Sequence, residues 1–231
     1  MTLTSKGIEA ALSLRVLARL LDYPDAALRG HLPGMREALQ AERALPPARL
    51  AELERLMESL SSADPFDTEA AYVQLFDRGR STSLHLFEHV HGDSRDRGPA
   101  MIDLAQSYEK AGLLLAPGEL PDYLPVVLEF VSTQPPAEAR AFLGEIAHIL
   151  NGIFSALMQR ESAYASVIGA LIELAGEKAQ AVKVAPEEPV DSTWDEPPAF
   201  DGCSAKGQAR PGEPQPIRIV RKNNAAKGAV T

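Results

Sequence analysis

Apolar side chains recur at helical spacing along most of this chain of 231 residues. Spacings of three and four residues place such side chains on one face of an α-helix, whereas a half-buried β-strand needs strict alternation. The segments with helical spacing lie at about 8–21, 50–60, 72–76, 101–108, 127–131, 137–159 and 163–174. Only Ala165–Leu171 approaches the alternation of a strand, and good helix formers surround it. The sequence therefore predicts an all-α fold, a single bundle of about seven or eight helices formed by residues 1–180.

The composition changes near residue 181. Residues 186–231 contain seven of the 18 prolines and neither leucine nor methionine. So little apolar surface cannot offset the entropy that a segment loses when it becomes ordered. An acidic block precedes a mostly basic one there, and the single cysteine, Cys203, has no second cysteine in the chain with which to form a disulfide. We therefore expect residues 181–231 to form a flexible, proline-rich tail that is acidic first and then basic.

The chain carries an excess of negative charge, with 32 Asp and Glu against 23 Lys and Arg and a net charge of −9. Nucleic acids and anionic lipid surfaces attract clustered positive charge, so we expect neither as a partner. The longest uncharged stretch of the helical part, 146–159, has 14 residues, and a bilayer crossing needs roughly 20 apolar residues. The first residues lack the pattern of a secretory signal. These features predict a cytoplasmic protein without membrane insertion.

Helical periodicity fails between residues 77 and 98, here called the irregular region, which contains three of the five histidines. Within it, His85-x-x-Glu88-His89 has the spacing of an inverted zinc-peptidase motif. In that motif two histidines one helical turn apart bind the metal and the glutamate acts as a base. Such a site also needs a well-formed helix and a third ligand, and the sequence singles out neither. A zinc-dependent hydrolase is therefore kept as the alternative interpretation.

Other catalytic patterns do not occur in the sequence. It has no glycine-rich phosphate loop, no dinucleotide fingerprint and no G-x-S-x-G nucleophile turn. The irregular region instead mixes arginines, acidic side chains and glycines, which suits contact with another chain because arginine offers several planar donors. One interpretation of these charges is a buried network that holds a long loop on the bundle. The sharper hypothesis is a peptide-binding surface there, above an apolar floor. The residues expected to form that floor are Phe76, Leu84, Leu86, Phe87, Tyr123 and Leu124.

Three stretches of the sequence resemble one known family. They are Tyr72-x-x-Leu75-Phe76-Asp77-Arg78-Gly79-Arg80, Leu86-Phe87-Glu88-His89-Val90-His91-Gly92-x-Ser94-Arg95-Asp96-Arg97-Gly98-x-Ala100-Met101 and Glu119-Leu120-Pro121-Asp122-Tyr123-Leu124-Pro125. In their order and content they resemble the NarJ family, the assembly chaperones, or delta subunits, of respiratory nitrate reductase. The resemblance extends over residues 14–175.

The resemblance implies a member of the all-helical, TorD-like group of redox-enzyme maturation chaperones, which catalyse no reaction. Such a chaperone binds the immature catalytic α subunit of nitrate reductase in the cytoplasm, in part through the N-terminal segment of that subunit and as the αβ complex. It keeps the client competent for insertion of the molybdenum cofactor and an iron–sulfur cluster before membrane attachment. It holds no cofactor permanently and is not part of the finished enzyme. Cofactor-delivery proteins are further candidate partners.

Under this resemblance we expect the client to contact the irregular region and the turn that follows residue 119. The predicted contact residues are Asp77, Arg78, Glu88, His89, His91, Gly92, Ser94, Arg95, Arg97, Leu120, Pro121, Asp122 and Tyr123. The Pro121-Asp122 pair also has the composition of a helix start. No catalytic residue and no metal ligand is predicted.

Overall fold

The computed structural model describes residues 9–92 and 94–180, so the predicted tail, with Cys203, lies outside the described residues. Within the described ranges the chain forms ten α-helices and no β-strand, which confirms the all-α prediction. The helices are α1 (Ala11–Leu20), α2 (Ala26–Glu42), α3 (Pro47–Ser62), α4 (Pro65–Tyr72), α5 (Leu86–Val90), α6 (Arg97–Lys110), α7 (Leu124–Ser132), α8 (Pro136–Glu145), α9 (Ala147–Gln159) and α10 (Ala165–Ala175). A π-helical turn at Val73–Asp77 and a 3₁₀ turn at Arg80–Thr82 follow α4.

Ten helices exceed the predicted seven or eight for three reasons. Helix α2 was not predicted, because Gly30, Pro33 and Gly34 lower the helix propensity of a segment that packs through Leu28 and Leu39. The stretch 137–159 divides at Ile146 into α8 and α9, which meet at a bend of 63°. The short helix α5 lies inside the irregular region. No single described helix has the length and hydropathy of a membrane crossing, and α8 and α9 reach them only together, across that bend.

Helix α10 lies at the centre of the bundle. It packs against α9, α8, α3 and α1, and its apolar residues are buried on all sides. Helix α1 packs against α7 and α2, with Leu17, Leu20 and Leu21 fully buried. Broad apolar faces of this kind explain why these helices are internal, since burial of each large side chain contributes roughly 1.5–3 kcal/mol.

Two carboxylates accept backbone N–H groups at the starts of the first two helices. Asp25 accepts the backbone N–H of Leu28 at 2.7 Å and so caps α2. At the other end of α2, Glu42 accepts the N–H of Leu12 at 3.0 Å and of Ser13 at 2.6 Å. These two N–H groups lie in the first turn of α1 and have no partner within that helix. Glu42 therefore joins the last turn of α2 to the first turn of α1.

Helix α6 is the least buried of the long helices. Its start and end agree with the local sequence, since Pro99 lies in the first turn and Gly112, with φ of +80°, follows the C-cap residue Ala111. Of its 14 residues, Tyr108 alone is buried. The apolar stripe predicted for it, Met101, Leu104 and Ala105, is only half-buried. The C-terminal half of α6 is therefore held mainly through one aromatic side chain.

Candidate functional site

The two predicted client-binding segments lie side by side. The backbone N–H of Leu86 donates to the carbonyl of Asp122 at 3.0 Å, and the N–H of Leu124 donates to the carbonyl of Leu84 at 2.8 Å. His85 and Tyr123 form an isolated antiparallel bridge between the segments. The fold thus brings together residues separated by almost 40 positions in the chain.

Asp122 is the centre of this junction and has no exposed surface. Its Oδ2 atom accepts the backbone N–H of Phe87 at 3.1 Å and lies 3.7 Å from Nη2 of Arg97. Its Oδ1 atom lies 3.4 Å from Nδ1 of His85. The Pro121-Asp122 pair predicted that a helix starts at Asp122. Its side chain caps no helix, and α7 begins at Leu124 without a side-chain cap. That prediction is wrong because the carboxylate is used for a contact between segments.

His85 was not among the predicted contact residues, yet it contacts the centre of the site. Its hydrogen bond to Asp122 raises its pKa above the ordinary value, since the charged imidazole is the better donor, while burial opposes the shift. Its ring also lies against that of Tyr123, with centroids 5.3 Å apart. No local sequence signal could reveal this role, because the partner carboxylate is 37 positions away.

Glu88 and Arg97 carry the polar network from the buried carboxylate to the surface. Nη2 of Arg97 lies 3.6 Å from Oε1 of Glu88 as well as near Asp122. Oγ of Ser83 donates to Oε2 of Glu88 at 2.5 Å. His89 donates from Nε2 to the carbonyl of Ser83 at 2.8 Å, since a carbonyl can only accept. The charged side chains of Glu88 and Arg97 are therefore held by defined partners.

A polar cavity of about 310 Å³ lies beside this network. It is lined by Phe76, Asp77, Arg78, Gly79, Arg80, Ser83, His85 and Glu88. Three of the predicted contact residues, Asp77, Arg78 and Glu88, thus meet at one depression. Gly79 is required there because a Cβ atom at this position would lie 2.7 Å from the carbonyl oxygen of Leu75.

The remaining predicted residues lie around this centre. His91 stacks edge-on against Phe87, with ring centroids 5.5 Å apart, and Gly92 turns the chain with φ of +52°. Ser94 and Arg95 are exposed. In the second segment Leu120 is exposed and Tyr123 is half-buried, whereas Pro121 is buried like Asp122. Asp122 therefore has no exposed surface for a direct contact, and Pro121 has little.

Four of the six residues of the predicted apolar floor are buried, although one of them, Phe76, also lines the polar cavity. Phe76, Leu84, Leu86 and Leu124 point into the core and are buried. Of the six, only Phe87 and Tyr123 keep partial exposure. The helical and extended pieces of the irregular region turn the apolar residues inward, as ordinary core packing requires. The surface that remains for a partner at this place is mainly polar.

The geometry also removes the basis of the zinc interpretation. His85 precedes α5, so His85 and His89 do not lie one turn apart on a helix. One ring nitrogen of each is engaged, Nδ1 of His85 by Asp122 and Nε2 of His89 by the Ser83 carbonyl. Within residues 9–92 and 94–180, no three His, Cys, Asp or Glu side chains are grouped so that they could hold a metal ion. The described residues therefore give the zinc-hydrolase interpretation no support.

Comparison with known proteins identifies the family. A family model described as the nitrate reductase delta subunit matches residues 24–168. The chain belongs to this family. A relative from Escherichia coli (strain K12), "Nitrate reductase molybdenum cofactor assembly chaperone NarJ", is 44% identical over 86% of this chain and 84% of its own length. A second one from that strain, "Probable nitrate reductase molybdenum cofactor assembly chaperone NarW", is 38% identical over 79% of this chain and 80% of its own length.

A solved structure agrees with the delta-subunit assignment at the level of the fold. The crystal structure named "Putative Redox Enzyme Maturation Protein" from Archaeoglobus fulgidus superimposes with a TM-score of 0.51 and 20% identity. The alignment covers 76% of this chain and 99% of that protein. The delta-subunit match at 24–168 includes both segments of the candidate site, so the site lies within the part of the chain that defines the family.

Proposed function

We propose that this chain is a system-specific assembly chaperone of respiratory nitrate reductase. It binds the immature catalytic α subunit in the cytoplasm and keeps it competent for insertion of the molybdenum cofactor before membrane attachment. It does not remain in the finished enzyme. The observation that carries this proposal is the 44% identity, over 86% of the chain, to an E. coli protein named as a chaperone of this kind.

The chemistry of the candidate site supports a binding role. The ionisable side chains at the centre of the site engage one another, as in the pairs of His85 with Asp122 and of Glu88 with Arg97. Such pairing alone does not distinguish binding from catalysis, but the relatives are named as assembly chaperones. We therefore propose that the chain is not an enzyme and holds no permanent cofactor. Its client, not the chaperone, carries the molybdenum cofactor and the iron–sulfur cluster.

We propose that the client contacts the chaperone with its N-terminal segment, while the α subunit is in complex with the β subunit. The contact surface is the polar cavity and its rim, where Asp77 and Glu88 lie near Arg78 and Arg97. Charged contacts of both signs favour recognition and fast association more than tight binding. That balance suits a chaperone that must release its client once the cofactor is loaded.

A gene deletion tests the proposed function. Without this chain, cells that respire nitrate should make the α and β subunits at normal levels, but the purified complex should lack molybdenum and reduce no nitrate. Expression of the full chain from a plasmid should restore both the metal content and the activity. A fully loaded complex in the deletion strain would contradict the proposal.

Calorimetry with the N-terminal peptide of the α subunit tests the proposed surface. Glu88→Ala and Arg95→Ala should each weaken peptide binding, by about tenfold for the loss of a charged contact. Glu58→Ala and Arg55→Ala remove the same kinds of side chain from the exposed face of α3 and serve as matched controls. Equal affinities for all four variants would show that the peptide binds elsewhere.

A further inference from the structure

The burial of Asp122 calls for an explanation, because a carboxylate without exposed surface is costly unless charges and hydrogen bonds compensate it. Its three partners come from three places. They are the N–H of Phe87 in the first turn of α5, His85 just before that helix, and Arg97 at the start of α6. A single buried side chain thus joins α5, α6 and the 120–124 segment.

The partners of Asp122 extend to the surface. The side chain of Arg97 is 27% exposed and bridges Asp122 to Glu88, whose side chain is 39% exposed. Glu88 is in turn held by Ser83, and Ser83 also receives His89 through its carbonyl. A change at Asp122 therefore reaches the exposed charges through defined contacts, although Asp122 itself cannot touch a bound protein.

We propose that Asp122 is the positioning residue of the client-binding surface, which holds Arg97 and Glu88 in the arrangement that the client recognises. This inference rests on the proposed function for the identity of the ligand. A positioning role differs from a purely stabilising one. Loss of the carboxylate should alter the arrangement of the surface charges and weaken peptide binding in a protein that stays folded.

Asp122→Asn in the full chain tests the inference. The amide oxygen of Asn can still accept the Phe87 N–H, whereas the attraction to His85 and Arg97 is lost. We expect the pKa of His85, followed by NMR of the imidazole signals, to fall. We also expect affinity for the α-subunit N-terminal peptide to weaken by about tenfold. Asp103→Asn, at an exposed position on α6, is the matched control and should change neither quantity.

Two results would overturn the inference: an unchanged His85 titration, or an altered His85 titration with wild-type peptide affinity. If Asp122→Asn does not fold, Arg97→Gln gives a test at a half-exposed position. Because Arg97 lowers the pKa of His85, this variant should raise that pKa and weaken peptide binding. An unchanged pKa of His85 together with an unchanged peptide affinity would again refute the inference. Failure of the wild-type chain to bind the peptide would instead count against the proposed function, since the titration of His85 does not depend on the client.

Discussion

The phenol of Tyr108 donates a hydrogen bond of 2.7 Å to the carbonyl oxygen of Pro121. The bond joins the buried residue of α6 to the turn that carries Asp122, and the ring also packs against Phe130, with centroids 4.7 Å apart. Burial raises the pKa of Tyr108, so the hydroxyl stays protonated and remains a donor. Helix α6 and the 120–124 segment are therefore tied at Tyr108 as well as at Arg97.

Tyr108→Phe should destabilise the protein by about 1–3 kcal/mol, because the buried Pro121 carbonyl loses its donor. Urea unfolding with an unchanged m-value measures the loss. Tyr23→Phe is the matched control, since it removes an exposed phenol that donates to Glu69, and it should change stability by less than about 0.5 kcal/mol. Equal effects of the two substitutions would show that the Pro121 bond contributes little.

Gly79→Ala should destabilise the protein by about 1–3 kcal/mol, as expected for overpacking at a closed position. A Cβ atom there would meet Oγ1 of Thr82 and the carbonyl of Leu75, which already hydrogen-bond to each other. Gly98→Ala is the control, because Gly98 lies in α6 and a Cβ atom there would meet nothing within 4 Å. In thermal or urea unfolding, Gly98→Ala should therefore leave stability unchanged or raise it. A similar loss of stability for both variants would contradict the crowding assigned to Gly79.

The pair of His85 and Asp122 should make stability depend on pH. The folded-state pKa of His85 is raised above its ordinary value of 6.5. The pair therefore contributes fully below the unfolded-state pKa, and its contribution is lost as pH rises through the folded-state pKa. The stability difference between wild type and His85→Asn, from urea unfolding between about pH 5 and pH 8, should shrink as pH rises.

The same His85→Asn comparison in an Asp122→Asn background provides the control. Without the carboxylate that raises the pKa of His85, burial and Arg97, which lower it, are no longer outweighed, so the stability difference should no longer shrink as pH rises. Two results would contradict Asp122 as the cause. One is a stability difference that does not vary with pH in the wild-type background, and the other is the same pH dependence in the Asp122→Asn background.

Glu42→Ala should cost about 0.5–2 kcal/mol, the usual effect of removing a helix cap. Its carboxylate satisfies two N–H groups at the start of α1, a helix that packs at the core. Glu37→Ala, at an exposed position of the same helix α2, is the control and should have little effect on urea unfolding. If both variants unfold at the same urea concentration, Glu42 does not act as a cap.

Regular helical periodicity predicted the fold class, and the exceptions have physical causes. Helix α2 carries Leu28, Leu32, Met35 and Leu39 at helical spacing, but its glycines and Pro33 conceal the pattern; tertiary packing overrides their poor propensity. The break at Ile146 was not predicted because apolar residues continue through it in both helices. Spacing alone cannot show where a continuous apolar stretch changes direction.

The candidate site was predictable only in its location. The resemblance named both segments, but it could not show that they pair or that Asp122 is buried beneath them. The contact of His85 with Asp122 joins positions far apart in the chain, and no local spacing encodes such a pair. Leu84, Leu86 and Leu124 of the expected apolar floor are buried instead, because sequence proximity to a site does not tell which apolar side chains face the core.

The most direct test of the central claim is recovery of the client from cells. The tagged full chain should be isolated from nitrate-respiring cells, both from a strain that makes the molybdenum cofactor and from one that cannot. We expect the α subunit to be recovered without its cofactor, with the β subunit, and in larger amount from the cofactor-deficient strain. Recovery of only the fully loaded enzyme, or of no α subunit from either strain, would contradict it.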